Sequence, residues 1–479
     1  MTRTASPLAA MLAGCALLVA LPVMAEETPS IQNAPATPPD TTPPPDAPAG
    51  LLAQDSLTNG WFGLAPMLKD KGVLISATEI GEVIGVASGG TGRGTIFEGR
   101  LELDLDLDLD QIFKLDNTVL HASAYQIHGR GASGNYIGGN LLTVSSIEAN
   151  RAFRLFDLWV ERGFFDSALS VRIGQIAADD EFITSQYSGG FLLATFGWPV
   201  FTAEALPGGG PVYPLATPGI RVRAALNDVL ILQAGLFNGN PTGLAKDTGN
   251  PQVENASGTT FATDISPFMI AELAYSPHAA GATGAPATTY KFGALYEGTM
   301  FDDLSRDGNG VSLADPRSSG SPRSHQGNFG LYGVADMLLY RLPASDTRSV
   351  GMFLRAGWLP DDRNFVTAYI DTGLAYKGPF EGRDDDVASI GVSFARISGQ
   401  AERLIEDLQR FGGSTARGPD FEGAIELTYQ ASIAPWWSIQ PDIQMVFHPT
   451  PPVIRPDATV TIPRVGNALV VGVRTSIRF

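Results

Sequence analysis

Residues 100–110 read Arg-Leu-Glu-Leu-Asp-Leu-Asp-Leu-Asp-Leu-Asp. Leucine occupies every odd position from Leu101 to Leu109, and a charge occupies every even one from Arg100 to Asp110. Side chains alternate between faces along a strand, so this segment has one leucine face and one ionic face. A helix would scatter the aspartates around its circumference and leave no apolar stripe. At ~3.3 Å per residue the segment spans about 36 Å, or about 28 Å when tilted by ~40°. That length matches the apolar band, about 25 Å tall, of an outer-membrane barrel. The leucine face suits lipid, and the ionic face needs water.

The chain ends on the same pattern. Leu469, Val471, Val473, Thr475, Ile477 and Phe479 share one face, and Val470, Gly472, Arg474, Ser476 and Arg478 share the other. A closing strand with Phe at its last position resembles the signal by which barrel-assembly machinery recognises outer-membrane barrels.

Between these two segments the alternation predicts an all-β fold: a transmembrane antiparallel β-barrel of about sixteen strands with inward-folded loops. The strands are expected at 73–86, 95–110, 119–128, 154–164, 168–176, 219–226, 229–238, 267–276, 288–298, 328–341, 349–360, 364–378, 385–398, 418–434, 437–448 and 467–479. Short connections alternate with mostly long ones, of which 177–218 is the longest. Bacterial barrels have short periplasmic turns and longer outer loops, which puts both termini in the periplasm. A basic side chain facing lipid at mid-depth costs ~2–4 kcal/mol. The charged faces must therefore point inward: Asp157, Trp159 and Glu161 against Phe156, Leu158 and Val160, and Arg221 and Arg223 against Ile220, Val222 and Ala224. A lumen so rich in ions holds water, and sixteen strands leave an aqueous channel.

Ahead of the barrel, which is expected over 60–479, residues 1–25 read as a signal peptide. Arg3 precedes an apolar stretch to Leu21, and Val23-Met24-Ala25 forms a cleavage site. Residues 26–59 include a Pro-rich stretch with Pro43-Pro44-Pro45, a disordered linker by composition. Charged residues are only 17% and hydrophobic ones 44%, which excludes wholesale disorder. A net charge of −18, or −19 once Arg3 is lost, excludes a nucleic-acid partner. The single cysteine, Cys15, excludes disulfide scaffolds and cysteine-ligated metal sites. No cofactor is expected.

Several stretches resemble the carbohydrate-selective outer-membrane porins, the OprB-type family. They are Gly99–Asp110, Ile127–Gly131, Asn140–Ala149, Arg154–Glu161, Val171–Phe182, Thr195–Pro199, Gly209–Ile220, Ala234–Pro241 and Pro435–Pro449, with the closing strand. The resemblance covers nearly all of 60–479. It implies a sixteen-stranded barrel that passes neutral sugars, monosaccharides and glucose above all, by passive diffusion. It also implies a constriction of inward loops with arginines at the narrowest point. A monomer and a homotrimer both stay open.

A neutral sugar is held by hydrogen bonds to its hydroxyls and by an aromatic ring under its C–H face. Each contact must be weak, since a channel that binds tightly does not conduct. The 177–218 connection carries Phe191, Leu192, Leu193, Phe196, Trp198, Val200 and Phe201. Apolar material of this kind folds into the barrel mouth rather than lying in water. Candidate donors are Arg130, Arg172, Arg221 and Arg223; candidate acceptors are Glu161, Asp179, Asp180 and Glu181. Trp159 or Trp198 is the candidate stacking surface. Trp436 and Trp437 are expected in the interfacial aromatic girdle.

Other motifs point nowhere. Gly89–Gly94 lacks the Lys-Ser/Thr of a phosphate loop, and no G-x-S-x-G or H-E-x-x-H is present. Asp303-x-Ser305-x-Asp307-Gly308 opens like a calcium loop, but Ala314 stands where Glu is required. The readings that remain beside a sugar porin are a general or cation-preferring porin, favoured by the negative charge, a barrel enzyme, and a soluble β-sheet binder. No serine–histidine pair marks an enzyme.

Overall fold

The computed structural model describes residues 51–242, 250–263, 266–278, 288–342, 348–412, 418, 420–450 and 465–479. The signal reading at 1–25 lies outside them, as does the proline-rich part of the linker.

Sixteen antiparallel strands close into one barrel, each paired with its neighbours in sequence and β1 paired with β16. They are β1 (Val73–Gly90), β2 (Gly94–Asp108), β3 (Thr118–Gly129), β4 (Ala152–Phe164), β5 (Leu169–Ile176), β6 (Thr217–Asn227), β7 (Leu230–Asn238) and β8 (Pro267–His278). The second half comprises β9 (Thr288–Asp307), β10 (Pro322–Arg341), β11 (Ser349–Trp358), β12 (Val366–Lys377), β13 (Val387–Ile397), β14 (Phe421–Ala434), β15 (Trp437–Phe447) and β16 (Gly466–Arg478). Every strand read from alternation is present. Closure leaves no sheet edge unpaired, as a lipid environment demands.

The outward faces are apolar: Ile173, Val222, Ile370, Leu374, Ile390, Val471 and Val473 are all exposed on the barrel wall. Their neighbours Arg172, Arg221, Asp371 and Arg474 are withdrawn from the surface.

Three details differ from the expectation. β2 stops at Asp108, whose carboxylate accepts from Gln111 N–H at 3.0 Å and caps a short helix, Leu109–Phe113. Leu109 and Asp110 therefore leave the alternation. Phe156 points into the barrel, because the β3–β4 register shifts between Ala122 and Ala124. A bulge there sets two residues of β4 against one of β3 and rotates the following side chains. Phe156 is buried, with its ring 4.6 Å from that of Tyr125. Trp436 is buried as well, donating from Nε1 to Leu51 O at 3.0 Å; only its stacked neighbour Trp437 stays partly open.

Residues 51–71 add a left-handed turn at Asn59–Phe62 and a short helix at Leu64–Lys69. Leu57 N–H donates to Arg478 O at 2.9 Å, and Trp61 Nε1 to Phe479 O at 3.3 Å, so both ends of the described chain meet at the short-turn end.

The core lies inside the barrel mouth, not between sheets. The 177–216 segment folds inward, and Phe191, Leu192, Leu193, Phe196, Trp198, Val200 and Phe201 are all buried. Glycines on the inner wall make space for it. A Cβ at Gly357 would lie 2.3 Å from the Phe201 ring, and one at Gly391 would lie 2.6 Å from Phe196. The 139–150 segment folds in alongside. Ser146 N–H donates to Leu192 O at 2.6 Å, and Ala194 N–H to Thr143 O at 2.9 Å, so the two loops hold each other.

Candidate functional site: a chamber between the loops and the wall

The two inward loops and the wall formed by β16 and β1 to β5 enclose a chamber of about 690 Å³. The strand side is ionic and aromatic, with Arg100, Glu102, Tyr125, Asp157, Trp159 and Arg172. The loop side brings Asp179, Asp180, Thr195, Trp198 and Tyr213.

The first half of this site was legible in sequence: an ion-pair ring that meets the chamber at Arg172, its other members lying outside the lining. Glu161 and Arg172 are cross-strand partners on β4 and β5, and Arg172 in turn pairs with Arg221 on β6. Like charges directly opposite destabilise a sheet. Carboxylates resolve the conflict. Glu161 lies 2.7 Å from Arg172 and 3.0 Å from Arg221; Glu181, from the loop, pairs with both and accepts from Arg221 Nε at 2.7 Å. Two arginines and two glutamates thus form one closed ring of ion pairs. Arg223 sits one inward position further along β6, half-buried and near this ring.

Trp159 belongs to the same cluster, but its ring is occupied. The Arg172 guanidinium lies 3.6 Å from its centroid, and His121 stacks at 4.7 Å. Gly174, at φ +147°, faces Trp159 across the β4–β5 ladder. A Cβ there would fall 2.2 Å from Leu158 O, so only glycine lets β5 lie against this part of β4. Trp198 is buried in the loop wall of the chamber, and its indole N–H has no protein partner among the described residues.

Arg130 does not join the site. It is exposed, just past the end of β3, where its backbone N–H donates to Phe97 O.

The second half was missed. Arg100 stands over two tyrosine rings, 4.6 Å from the centroid of Tyr125 and 5.2 Å from that of Tyr213, and pairs with Glu102 at 2.9 Å. Arg100 had been read only as one charge in the alternating row. Its tyrosine neighbours lie on β3 and in the loop, so no local pattern marks the group. Two more of the acidic row are also partnered: Asp104 with Ser76 at 2.9 Å and Asp106 with His121 at 2.7 Å.

The chamber is acidic on balance. Its three arginines, Arg100, Arg172 and Arg474, are each engaged by carboxylates. Asp104, Asp157, Asp179 and Asp180 form no ion pair with lysine or arginine among the described residues. Asp179 accepts from Tyr213 N–H at 3.1 Å. Burial lifts its carboxyl above the usual range, against the pull of that N–H and of Arg100. Burial also raises Glu148 in the neighbouring loop, opposed by hydrogen bonds from Ser133.

The calcium-like motif is spent on its own loop. Asp303 accepts from Ser305 N–H and Arg306 N–H, and Asp307 from Asn309, Val311 and Ser319 N–H.

Comparison with known proteins agrees with this architecture. The family model described as "Carbohydrate-selective porin, OprB family" matches residues 93–479. Porin B of Pseudomonas aeruginosa is 24% identical over 445 residues, covering 88% of this chain and 90% of that protein. The putative porin QuiX of Acinetobacter baylyi is 23% identical over 428 residues, covering 82% and 88%. The solved high-pH structure of Pseudomonas putida OprB superposes with a TM-score of 0.77 at 23% identity, covering 89% of this chain and 99% of that one. That likeness bears on the fold alone. A match over 93–479, on a closed sixteen-stranded barrel with a chambered lumen, makes this chain a member of the carbohydrate-selective OprB family of outer-membrane porins.

Proposed function

We propose that the chamber is where this porin recognises its sugars, and that monosaccharides of the glucose kind pass it by diffusion. The observation that carries the reading is the chamber's pairing of aromatic surface with ionic hydrogen-bonding groups. Tyr213 and Trp198 offer faces or edges to a C–H surface, while Arg100, Arg172, Asp157, Asp179 and Asp180 offer donors and acceptors to hydroxyls. A volume of about 690 Å³ admits a single small sugar with its water. The protein acts as a channel, not an enzyme. The short-turn end, with both termini, faces the periplasm, and Phe479 is the group the assembly machinery reads.

The unpaired carboxylates favour a second, concurrent reading, in which small cations pass alongside sugar.

The test is glucose entry into proteoliposomes against a neutral solute of similar size, with bilayer conductance recorded with and without glucose. Faster glucose entry with sugar-dependent block supports the reading, and Arg100→Ala and Trp198→Ala should each weaken the block. Entry governed by size alone, without block, would sink the sugar-recognition part. A reversal potential favouring cations supports the second reading.

A further inference from the structure

Two glutamates on β14, far from the ion-pair ring, hold both inward loops by the same geometry. Glu426 accepts from two successive backbone amides of one loop, Leu192 N–H at 2.6 Å and Leu193 N–H at 2.9 Å, one on each oxygen. Glu422, four residues earlier and on the same face, does the same for the other loop, taking Leu142 N–H at 2.7 Å and Leu141 N–H at 3.1 Å. It also accepts from Thr450 N–H at 2.7 Å. Both carboxylates are fully buried, and neither forms an ion pair with lysine or arginine among the described residues. Asp442 on β15 lies beside Glu426.

The pinned segments are the ones that form the chamber. Leu141, Thr143, Ser145 and Ser146 follow from the first anchor, and Ala194, Thr195 and Trp198 follow from the second. The loop–loop bonds Ser146 to Leu192 and Ala194 to Thr143 fall between the anchors. A buried carboxylate is costly unless its lone pairs are filled, so each anchor is strong in one loop position and poor in any other.

We propose that Glu422 and Glu426 are positioning residues that set the width of the sugar chamber. They touch no solute; they fix where the chamber's loop wall stands. The importance of that width for sugar selection rests on the function proposed above.

The experiment uses the full-length porin in planar bilayers. Glu426→Ala frees two amides and leaves the chamber residues intact. Single-channel conductance should rise severalfold, and the glucose concentration for half-block should rise with it, while heat-modifiable migration shows a folded barrel. Loss of a charge could alter conductance by itself, so a second variant separates the causes. A Cβ at Gly190 would lie 3.7 Å from Ser389 Oγ on β13, within reach of a disulfide after modest adjustment. Apart from Cys15 the sequence has no other cysteine. Gly190→Cys with Ser389→Cys, placed in the Glu426→Ala background, re-pins the same loop with the charge still absent. Oxidation should restore the narrow conductance and reductant should release it. Should Glu426→Ala not insert, the same pair in Glu426→Gln gives the same readout. Unchanged conductance in a folded Glu426 variant, or a raised conductance that oxidation leaves raised, overturns the proposal. Conductance is read without sugar, so the anchor can fail or hold independently of the sugar reading, which stands or falls on block in the unmodified porin.

Discussion

Arg172 and Arg221 face each other directly across the β5–β6 ladder, and two glutamates from different parts of the chain bridge them. One bridge, Glu161, comes from the adjacent strand; the other, Glu181, comes from the inward loop. The loop therefore completes the electrostatics of the wall as well as covering it. Glu181→Gln leaves two arginines sharing Glu161. Hydrogen bonds to charged groups contribute about 1.5–3 kcal/mol each, so the variant should unfold at lower temperature in detergent. Reversal potentials should shift toward anions. An unchanged melting profile and selectivity would show the ring to be inert.

Leu105 lies on the outer face of β2, in an apolar groove with Leu103, Ala122, Ala124 and Leu155, while Asp104 lines the chamber on the inner face. Leu105→Arg sets a charge against lipid at a cost of ~2–4 kcal/mol and should deplete heat-modifiable barrel from outer-membrane fractions. Asp106→Asn, on the wet face, should assemble normally. Equal assembly of both would reverse the assignment of faces.

Arg355 and Asp371 form a fully buried pair on β11 and β12. The guanidinium also donates to Ile183, Thr195, Phe196 and Gly197 carbonyls, so one side chain rivets the long loop to the far wall. Arg355→Met leaves Asp371 buried with only the Tyr369 hydroxyl, at 2.8 Å, to answer its charge, and breaking such a pair costs about 3–5 kcal/mol. Arg355→Met with Asp371→Leu should recover part of that loss in equilibrium or thermal unfolding. A double variant no more stable than the single would show that the loop carbonyls, not the stranded carboxylate, carry the effect.

Glu204, on the short helix Val200–Glu204 of the long loop, has its carboxyl raised to about 7 by burial. The folded state thus holds this proton more tightly than the unfolded chain does. Ionisation opposes folding, so this group's contribution to stability declines as pH rises from about 4.5 to about 7. Glu204→Gln should flatten the pH dependence of thermal unfolding across that window relative to the unmodified porin. Parallel profiles for the two proteins would remove Glu204 from the account.

The strands were legible because each one writes its two environments into a repeat of two, as Leu101 to Leu109 do most plainly. The ring of Glu161, Arg172, Arg221 and Glu181 was partly legible for the same reason, since alternation places the strand residues on one inner wall. Phe156 escaped because one extra residue at a bulge reverses the faces beyond it, and nothing in the sequence marks the extra residue. Arg130 was named for its charge alone; it lies past the end of β3, as the sequence reading also had it, and there it is exposed. Glu422 and Glu426 alternate like every other lumen charge. Their role depends on amides some 280 and 230 positions earlier in the chain, a distance no local pattern spans.

That distance has a consequence for how the pore is made. The loops anchored on β14 precede it by some 230 to 280 positions, so their amides meet a carboxylate only once β14 and the loops belong to one sheet. Only in the closed sheet, with β1 joined to β16, does the wall that carries the two glutamates stand opposite both loops.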